Sequence, residues 1–418
     1  MKKRLLPVTA VALASMLLSS CGGSTKWSWE EASSDGVLKY ALLIGQLDHN
    51  DSAARTAGIR EALGTRPSKH ETNPNAEVAV EGKVTLGKKE YKVIEAVSGE
   101  QKNTSGQTWN QNTATESTDA WLAKYSDLDF FVSNNDGMAE GAIASVSWKE
   151  GMPIFGYDSN QSTLQYIKEG KIMGTVNQDA PAQAASIYMT ARNAIDGLVG
   201  ADVYKYGFTE ANKSGYGKIS SAVSYNTDSH ALLVDNLAVT AKNVDEFITS
   251  DIKTLADKGV TQGSTSKVKV WQTYYSNSDN FLNSSMQPLF ETYASKFNFD
   301  VTTVKGGGND DTDLLSSLDA ALASGNYGAY VINMVKTTST STYLDKIATS
   351  LKATESNPTS VPVIFWNRQG TNSDGTTDTV SMNDKRFKNI FYVGFDANQG
   401  GEIQGQMIVD YFNELASK

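Results

Sequence analysis

Three aspartates, Asp51, Asp158 and Asp279, stand shortly after short apolar or β-branched runs, as do His49, Arg55 and the amides Asn135, Gln178 and Asn367. A carboxylate only accepts hydrogen bonds, a guanidinium only donates, and an amide does both. Such a set can satisfy sugar hydroxyls, each of which donates and accepts. Trp109 and Phe281 lie near these positions and offer flat apolar faces, against which the C–H face of a pyranose stacks. Taken singly, each residue has a plainer role: Asp51 and Asp279 as helix N-caps, Asn135 as a turn former, Trp109 as core. Gly306-Gly307-Gly308 has no Gly-Lys-Ser/Thr continuation and reads as a turn rather than a phosphate loop. His70 and His230 have no His or Cys partner at metal-ligand spacing, and no Gly-x-Ser-x-Gly elbow occurs.

The elements that must position these residues alternate short β-branched or aromatic runs with longer segments of helical period. That alternation predicts an α/β fold of parallel sheets covered by helices. Strands are predicted at Tyr40 to Ile44, Lys92 to Ala96, Asp129 to Ser133, Pro153 to Tyr157, Ile172 to Val176, Val268 to Thr273, Phe299 to Val304, Ala329 to Asn333, Val361 to Trp366 and Ile390 to Phe395. Helical patterns at Ser52 to Leu63, Thr115 to Tyr125, Ala180 to Leu198, Asp279 to Lys296, Asp311 to Ser324 and Gln399 to Leu415 fall between them. So many strands fit two lobes better than one sheet. In open α/β sheets ligands bind beyond the carboxyl ends of the strands, where the polar set falls. Two stretches read as connections: Thr65 to Gly87, an unexplained surface insertion, and Gly259 to Ser266, a linker.

The chain has 418 residues, one cysteine, and 47 acidic against 37 basic residues, for a net charge of −10. Collagen, coiled coil and disulfide scaffolds are excluded, and nucleic acid is an unsuitable partner. Lys2, Lys3 and Arg4 precede an apolar run from Leu5 to Leu18 that is too short for a stop-transfer helix. This reads as an export signal over residues 1–20. Leu18-Ser19-Ser20-Cys21 resembles a bacterial lipobox, which makes Cys21 a lipidation site and residues 21–36 a flexible tether. The expected location is the periplasm, anchored to a membrane through lipidated Cys21.

Several longer motifs then resemble one lobe of the periplasmic glucose/galactose-binding proteins, within the type I periplasmic binding proteins. They are GQLDHNDSAAR from Gly45 to Arg55, Trp109 with Trp121, SNNDGMAEG from Ser133 to Gly141, and PIFGYD from Pro153 to Asp158. The other lobe is resembled by YSNSDNF from Tyr275 to Phe281, VPVIFWN from Val361 to Asn367, YVGFD from Tyr392 to Asp396, and Ile403-Gln-Gly405. These pieces stand in the reverse of the usual order. The chain is therefore similar to the circularly permuted glucose-binding lipoproteins of treponemes.

The resemblance implies a two-lobed fold with a three-crossing hinge near Gln178-Asp179, Leu237 to Thr240 and Gly394. One lobe would hold residues 37–178, 240–251 and 394–418, the other 179–239 and 268–393, with 252–267 joining the ancestral termini. It implies that His49, Asp51, Arg55, Asn135, Asp158 and either Gln178 or Asn177 bind hydroxyls on one lobe. Asp279 and Asn367 would do so on the other, with Trp109 and Phe281 sandwiching the ring. The family's calcium loop is reduced here to Asp35-Gly36, and Lys39 would put a cation where an oxygen ligand is needed, so no metal is expected.

The implied function is capture of D-glucose or D-galactose, without a cofactor, by a monomer that delivers the sugar to the permease of an ABC importer. Service to a chemoreceptor, or another monosaccharide, is the alternative. A glycosidase built on two of the aspartates is disfavoured, because carboxylates about 5 to 9.5 Å apart must also leave room for a leaving group. A sugar-responsive repressor is disfavoured by the missing helix-turn-helix and the acidic charge.

Overall fold

The computed structural model describes residues 26–418. The expected signal segment, Cys21 and the first part of the expected tether lie outside the described residues.

Two seven-stranded sheets form. The first contains β1 (Val37–Ile44), β2 (Gly82–Leu86), β3 (Lys89–Glu100), β4 (Phe130–Ser133), β5 (Ile154–Phe155), β6 (Gly174–Asn177) and β9 (Leu237–Thr240), in the order β2-β3-β1-β4-β5-β6-β9. The second contains β7 (Val223–Asn226), β8 (Ala231–Val234), β10 (Val268–Tyr274), β11 (Phe299–Lys305), β12 (Ala329–Ile332), β13 (Val363–Trp366) and β14 (Ile390–Phe395), in the order β11-β10-β12-β13-β14-β8-β7. In the first sheet five parallel strands run in the doubly wound order 2-1-3-4-5; the second repeats that order and adds β8 as a sixth parallel strand. Antiparallel pairing is confined to the edges, at β2, β9 and β7. This is the two-lobed type I periplasmic-binding-protein fold expected from the sequence.

The inner strands are buried on both faces, as parallel strands under helices must be: β4, β12, β13 and β14 are buried throughout. One apolar cluster fills the second lobe around Trp271, Tyr188, Phe290 and Trp366, and two fill the faces of the first sheet.

The chain passes between lobes at Gln178-Asp179, between β6 of the first sheet and the helix Ala180–Ile195 of the second lobe's core. The second passage falls at Asp235-Asn236, because β9 pairs with β6 in the first sheet, so residues 237–239 lie with the first lobe and not the second. The third falls at Asp396: β14 stays in the second sheet through Phe395, paired with Val234, and residues 394–395 belong there. Two more expectations need correction. Residues 26–36 are folded and not free tether: Trp27 N–H donates to Glu150 O at 2.8 Å, and Trp29 packs on Tyr91 and Phe412. The linker 252–267 is docked, with Val260 buried in the second lobe's core and Gln262 Nε2 donating to Ser295 O.

Helix Asn50–Ala62 carries the His49 to Arg55 motif, and helix Ala397–Ala416 packs across it. Glycines permit the approach. A Cβ on Gly401 would lie 2.3 Å from Ala54 O, and one on Gly58 would lie 2.1 Å from Gly401 C. Gly401→Val should force the helices apart and lower the denaturant midpoint, by about 1–3 kcal/mol in stability. Equilibrium unfolding of the variant against the parent checks this.

Candidate functional site

The carboxyl ends of both sheets face one cleft. His49 ends the loop after β1 and caps helix Asn50–Ala62; its Nδ1 accepts from Asp51 N–H at 3.1 Å. Asn135 caps the helix after β4, with its Oδ1 accepting from Met138 N–H. Asp158 follows β5 and Gln178 follows β6, and Gln178 Nε2 donates to the Asp158 carboxylate. From the other lobe come Asp279 and Phe281 after β10, at the start of a π-helical turn, Phe281–Met286, and Asn367 after β13. The expected continuous helix from Asp279 therefore opens with a wider turn, the kind of irregularity that often marks a functional site.

Every residue expected at the ligand lines this one cavity except Asn177, whose side-chain oxygen accepts from Asp179 N–H at the hinge. Gln178 is the amide that faces the cavity. Tyr275, Leu282 and Arg368 line it too, although the sequence reading did not place them there. Arg368 stands next to Asn367, so its position after a strand was visible. Its burial, 2% exposed, and the stacking of its guanidinium 3.4 Å from the Tyr275 ring were not.

The cavity is small, about 30 Å³. A larger cavity of about 790 Å³ opens beside the hinge. The chemistry nevertheless concentrates in the smaller one. There, His49 Nε2, Arg55 Nε and Trp109 Nε1 are buried with no hydrogen-bond partner within the protein. Buried polar groups are normally paired, and leaving one unpaired costs about 1–3 kcal/mol.

Backbone strain gathers at the same place. Trp109 (φ 58°), Asp158 (φ 120°) and Asn367 (φ 60°) all adopt positive φ without being glycine. Gly45 is required by the same arrangement, since a Cβ there would lie 2.2 Å from the Trp109 ring.

Burial dominates the electrostatics. It raises the Asp51 carboxyl from the ordinary 3.8 to about 6, against the lowering pull of Arg55 and Arg368. It raises Asp158 well above the carboxylate range, opposed by Arg55, whose Nη1 is 3.7 Å away, and assisted by Asp136 and Asp279. His49 is held well below its usual value by burial and then by the two guanidiniums. The ring is therefore neutral, and because Nδ1 accepts, its proton sits on Nε2. Asp279 accepts from Tyr275 O–H.

Among the described residues no three His, Cys, Asp or Glu side chains gather into a cation site. Beside Asp35 and Asp129, the Lys39 ammonium pairs with Asp127.

The raised Asp51 value has a sign that can be tested. The folded state holds a proton more tightly than the unfolded chain, so stability is fully present below about pH 4 and is lost as pH rises through about 6. Asp51→Asn removes this loss. The variant should be more stable than the parent at pH 7, by at most roughly 3 kcal/mol, with the advantage vanishing near pH 4. Unfolding midpoints of the two ligand-free proteins across that range check it.

Residues 8–198 match a family described as "Periplasmic binding protein domain", and residues 267–340 match a second family of the same description. The chain is 28% identical over 166 residues to the D-galactose/methyl-galactoside binding periplasmic protein MglB of Haemophilus influenzae, a match covering 39% of this chain. The chain spans 41% of the length of that relative. A solute-binding protein of an ABC transporter from Agrobacterium vitis, with bound D-fucose, is similar in structure at a TM-score of 0.49 and 9% identity, over 90% of each chain. One from Clostridium phytofermentas, with bound L-rhamnose, has a TM-score of 0.46 and 11% identity, over 91% of this chain and 82% of that one.

Proposed function

The chain belongs to the periplasmic binding proteins, and on that premise we propose that it captures D-glucose or D-galactose between its lobes and delivers it to an ABC importer. One observation carries the reading: the cleft is lined by buried acceptors on Asp51 and Asp158 and a half-buried one on Asp279, beside unpartnered donors on His49, Arg55 and Trp109. A ring of hydroxyls answers both kinds at once. Water could do so only by being immobilised at several points together.

Each lobe has its own part. Asp51, Asp158 and Arg55, which lies between Asp158 and the Tyr157 ring, supply hydrogen bonds from one side, those of the Arg55 guanidinium being charge-assisted. Asp279 and Asn367 supply the other side. Trp109 and Phe281 flank the ring. Closure excludes the water that would compete for these bonds. No bond is made or broken; the carboxylates hold the sugar and the hinge releases it.

The chain order is that of a circular permutation, with residues 252–267 spanning the ancestral termini. The intact 2-1-3-4-5 order inside each lobe supports it, because contacts and not chain order hold the cores. Lipidation of Cys21 anchors the protein at a membrane, and Cys21→Ser should move it from the membrane fraction to the soluble one. Persistence in the membrane fraction would reject the anchor.

Isothermal titration of the protein with D-glucose, D-galactose and D-ribose, in the presence of chelator, tests the whole reading. One-to-one heat with a hexose and none with ribose is the expected result; silence for all three rejects it. Trp109→Ala should weaken the hexose by about 1–3 kcal/mol with folding intact.

A further inference from the structure

The insertion Thr65 to Gly87 runs from the end of helix Asn50–Ala62 back to the edge strand β2, and it is anchored to the first lobe at its base. Arg60, 1% exposed, donates twice to Glu95, at 2.8 and 2.6 Å, and its Nη1 donates to Pro74 O at 2.7 Å and Glu77 O at 3.1 Å. Tyr40 O–H donates to the same Glu95 carboxylate. The turn Pro74–Ala76 is thereby held from beneath, with Asn73 as its cap.

From this turn two amides reach the loop between β1 and the His49 helix. Asn73 Nδ2 donates to Leu47 O at 2.6 Å, and the buried Asn75 Nδ2 donates to Gln46 O at 3.2 Å and Leu47 O at 3.0 Å. The residue so held is the first lobe's partner in a bond across the cleft. Gln46 Oε1 accepts from Arg368 Nη1 of the opposite lobe at 3.2 Å and from Thr108 O–H at 3.2 Å, while its Nε2 is committed to Asp48 at 2.8 Å. Arg368 lies on the Tyr275 ring, and Tyr275 O–H donates to Asp279.

We propose that Thr65 to Gly87 is a strut: Asn75 is a positioning residue that holds Gln46 where its side-chain carbonyl receives the Arg368 guanidinium, and so sets how firmly the closed cleft is kept. The proposal rests on the reading of the cleft as a sugar trap. It differs from a purely structural account of the insertion, because the effect passes through one interlobe bond. A second interlobe bond, Gln107 Nε2 to Gly307 O at 3.0 Å, is held by Asn103 instead, and it supplies a control.

Asn75→Asp keeps the shape and replaces the donor with an acceptor facing two carbonyls; Gln46→Ala removes the Arg368 acceptor. In the full chain, each should raise the D-glucose or D-galactose dissociation constant about tenfold, through faster dissociation with association unchanged. The double variant should be no weaker than the weaker single one, whereas Gln107→Ala should add to Asn75→Asp. Parental affinity in Asn75→Asp, or additive losses for Asn75 and Gln46, overturns the strut. If Asn75→Asp does not fold, Asn73→Ala takes its place in the same cycle, with the same two outcomes.

Small-angle scattering of the ligand-free proteins separates this from the sugar reading. A parent that binds no hexose rejects the reading of the cleft. The strut then stands if Asn75→Asp and Gln46→Ala are both more expanded than the parent, and falls if all three are equally compact.

Discussion

Charge held out of water between two lobes is the constraint on which the rest of the structure depends. Arg55 is the clearest case: its guanidinium lies 3.6 Å from the Tyr157 ring centre, donates to Asn134 O at 2.6 Å and stands 3.7 Å from Asp158. A buried cation survives only when its field and its donors are both answered, and removing one partner costs several kcal/mol. Tyr157 in turn donates through its hydroxyl to Asn236, which donates to Asp396 O and Gln399 Oε1. Asn236 and Asp396 are the second and third passages between the lobes. One buried guanidinium thus joins the cavity to the hinge.

The sheets explain why the strain lies where it does. Parallel strands present their carboxyl ends together, and the chain must turn sharply there to enter the covering helices. A turn that also aims a side chain into a shared cavity has little freedom left. Trp109, Asp158 and Asn367 take up left-handed backbone at such turns, and Gly45 gives up its side chain so that the indole can lie against it. The stability surrendered at these positions is recovered in the three apolar clusters beneath them.

Most of the fold was legible because its signal is local. Ten short β-branched or aromatic runs alternating with helical periods specify parallel sheets, and all ten are strands. The edge strands β2, β7 and β9, and β8 next to the edge, were not read. β2 and β7 alternate or expose their residues, and β9 is a short strand whose partner, β6, is distant in sequence. The site was legible for the same reason as the sheets, since polar residues just past strands must lie at the cleft. Arg368 and Tyr275 were missed because their place in the cavity depends on stacking between them, which spacing does not encode. Residues 26–36 read as tether from their small polar composition, yet Trp27 and Trp29 pack against the first lobe and carry the chain with them.

A trap of this kind works only if its closed form is weakly preferred in the absence of ligand. A ligand can shift an opening equilibrium by no more than its difference in affinity for the two states. Were the lobes joined by a broad apolar interface, closure would be complete before any sugar arrived, and a cavity of about 30 Å³ would admit nothing. The lobes are instead bridged at the cleft by polar bonds such as Arg368 to Gln46 and Gln107 to Gly307, over a floor of charges that burial alone disfavours. In the proposed trap the burial cost of Asp51 and Asp158 favours opening, the polar bonds favour closure, and hydroxyls that satisfy the two carboxyl groups offset the first and leave the second. On that proposal the same carboxyl groups that receive the ligand make closure conditional on it.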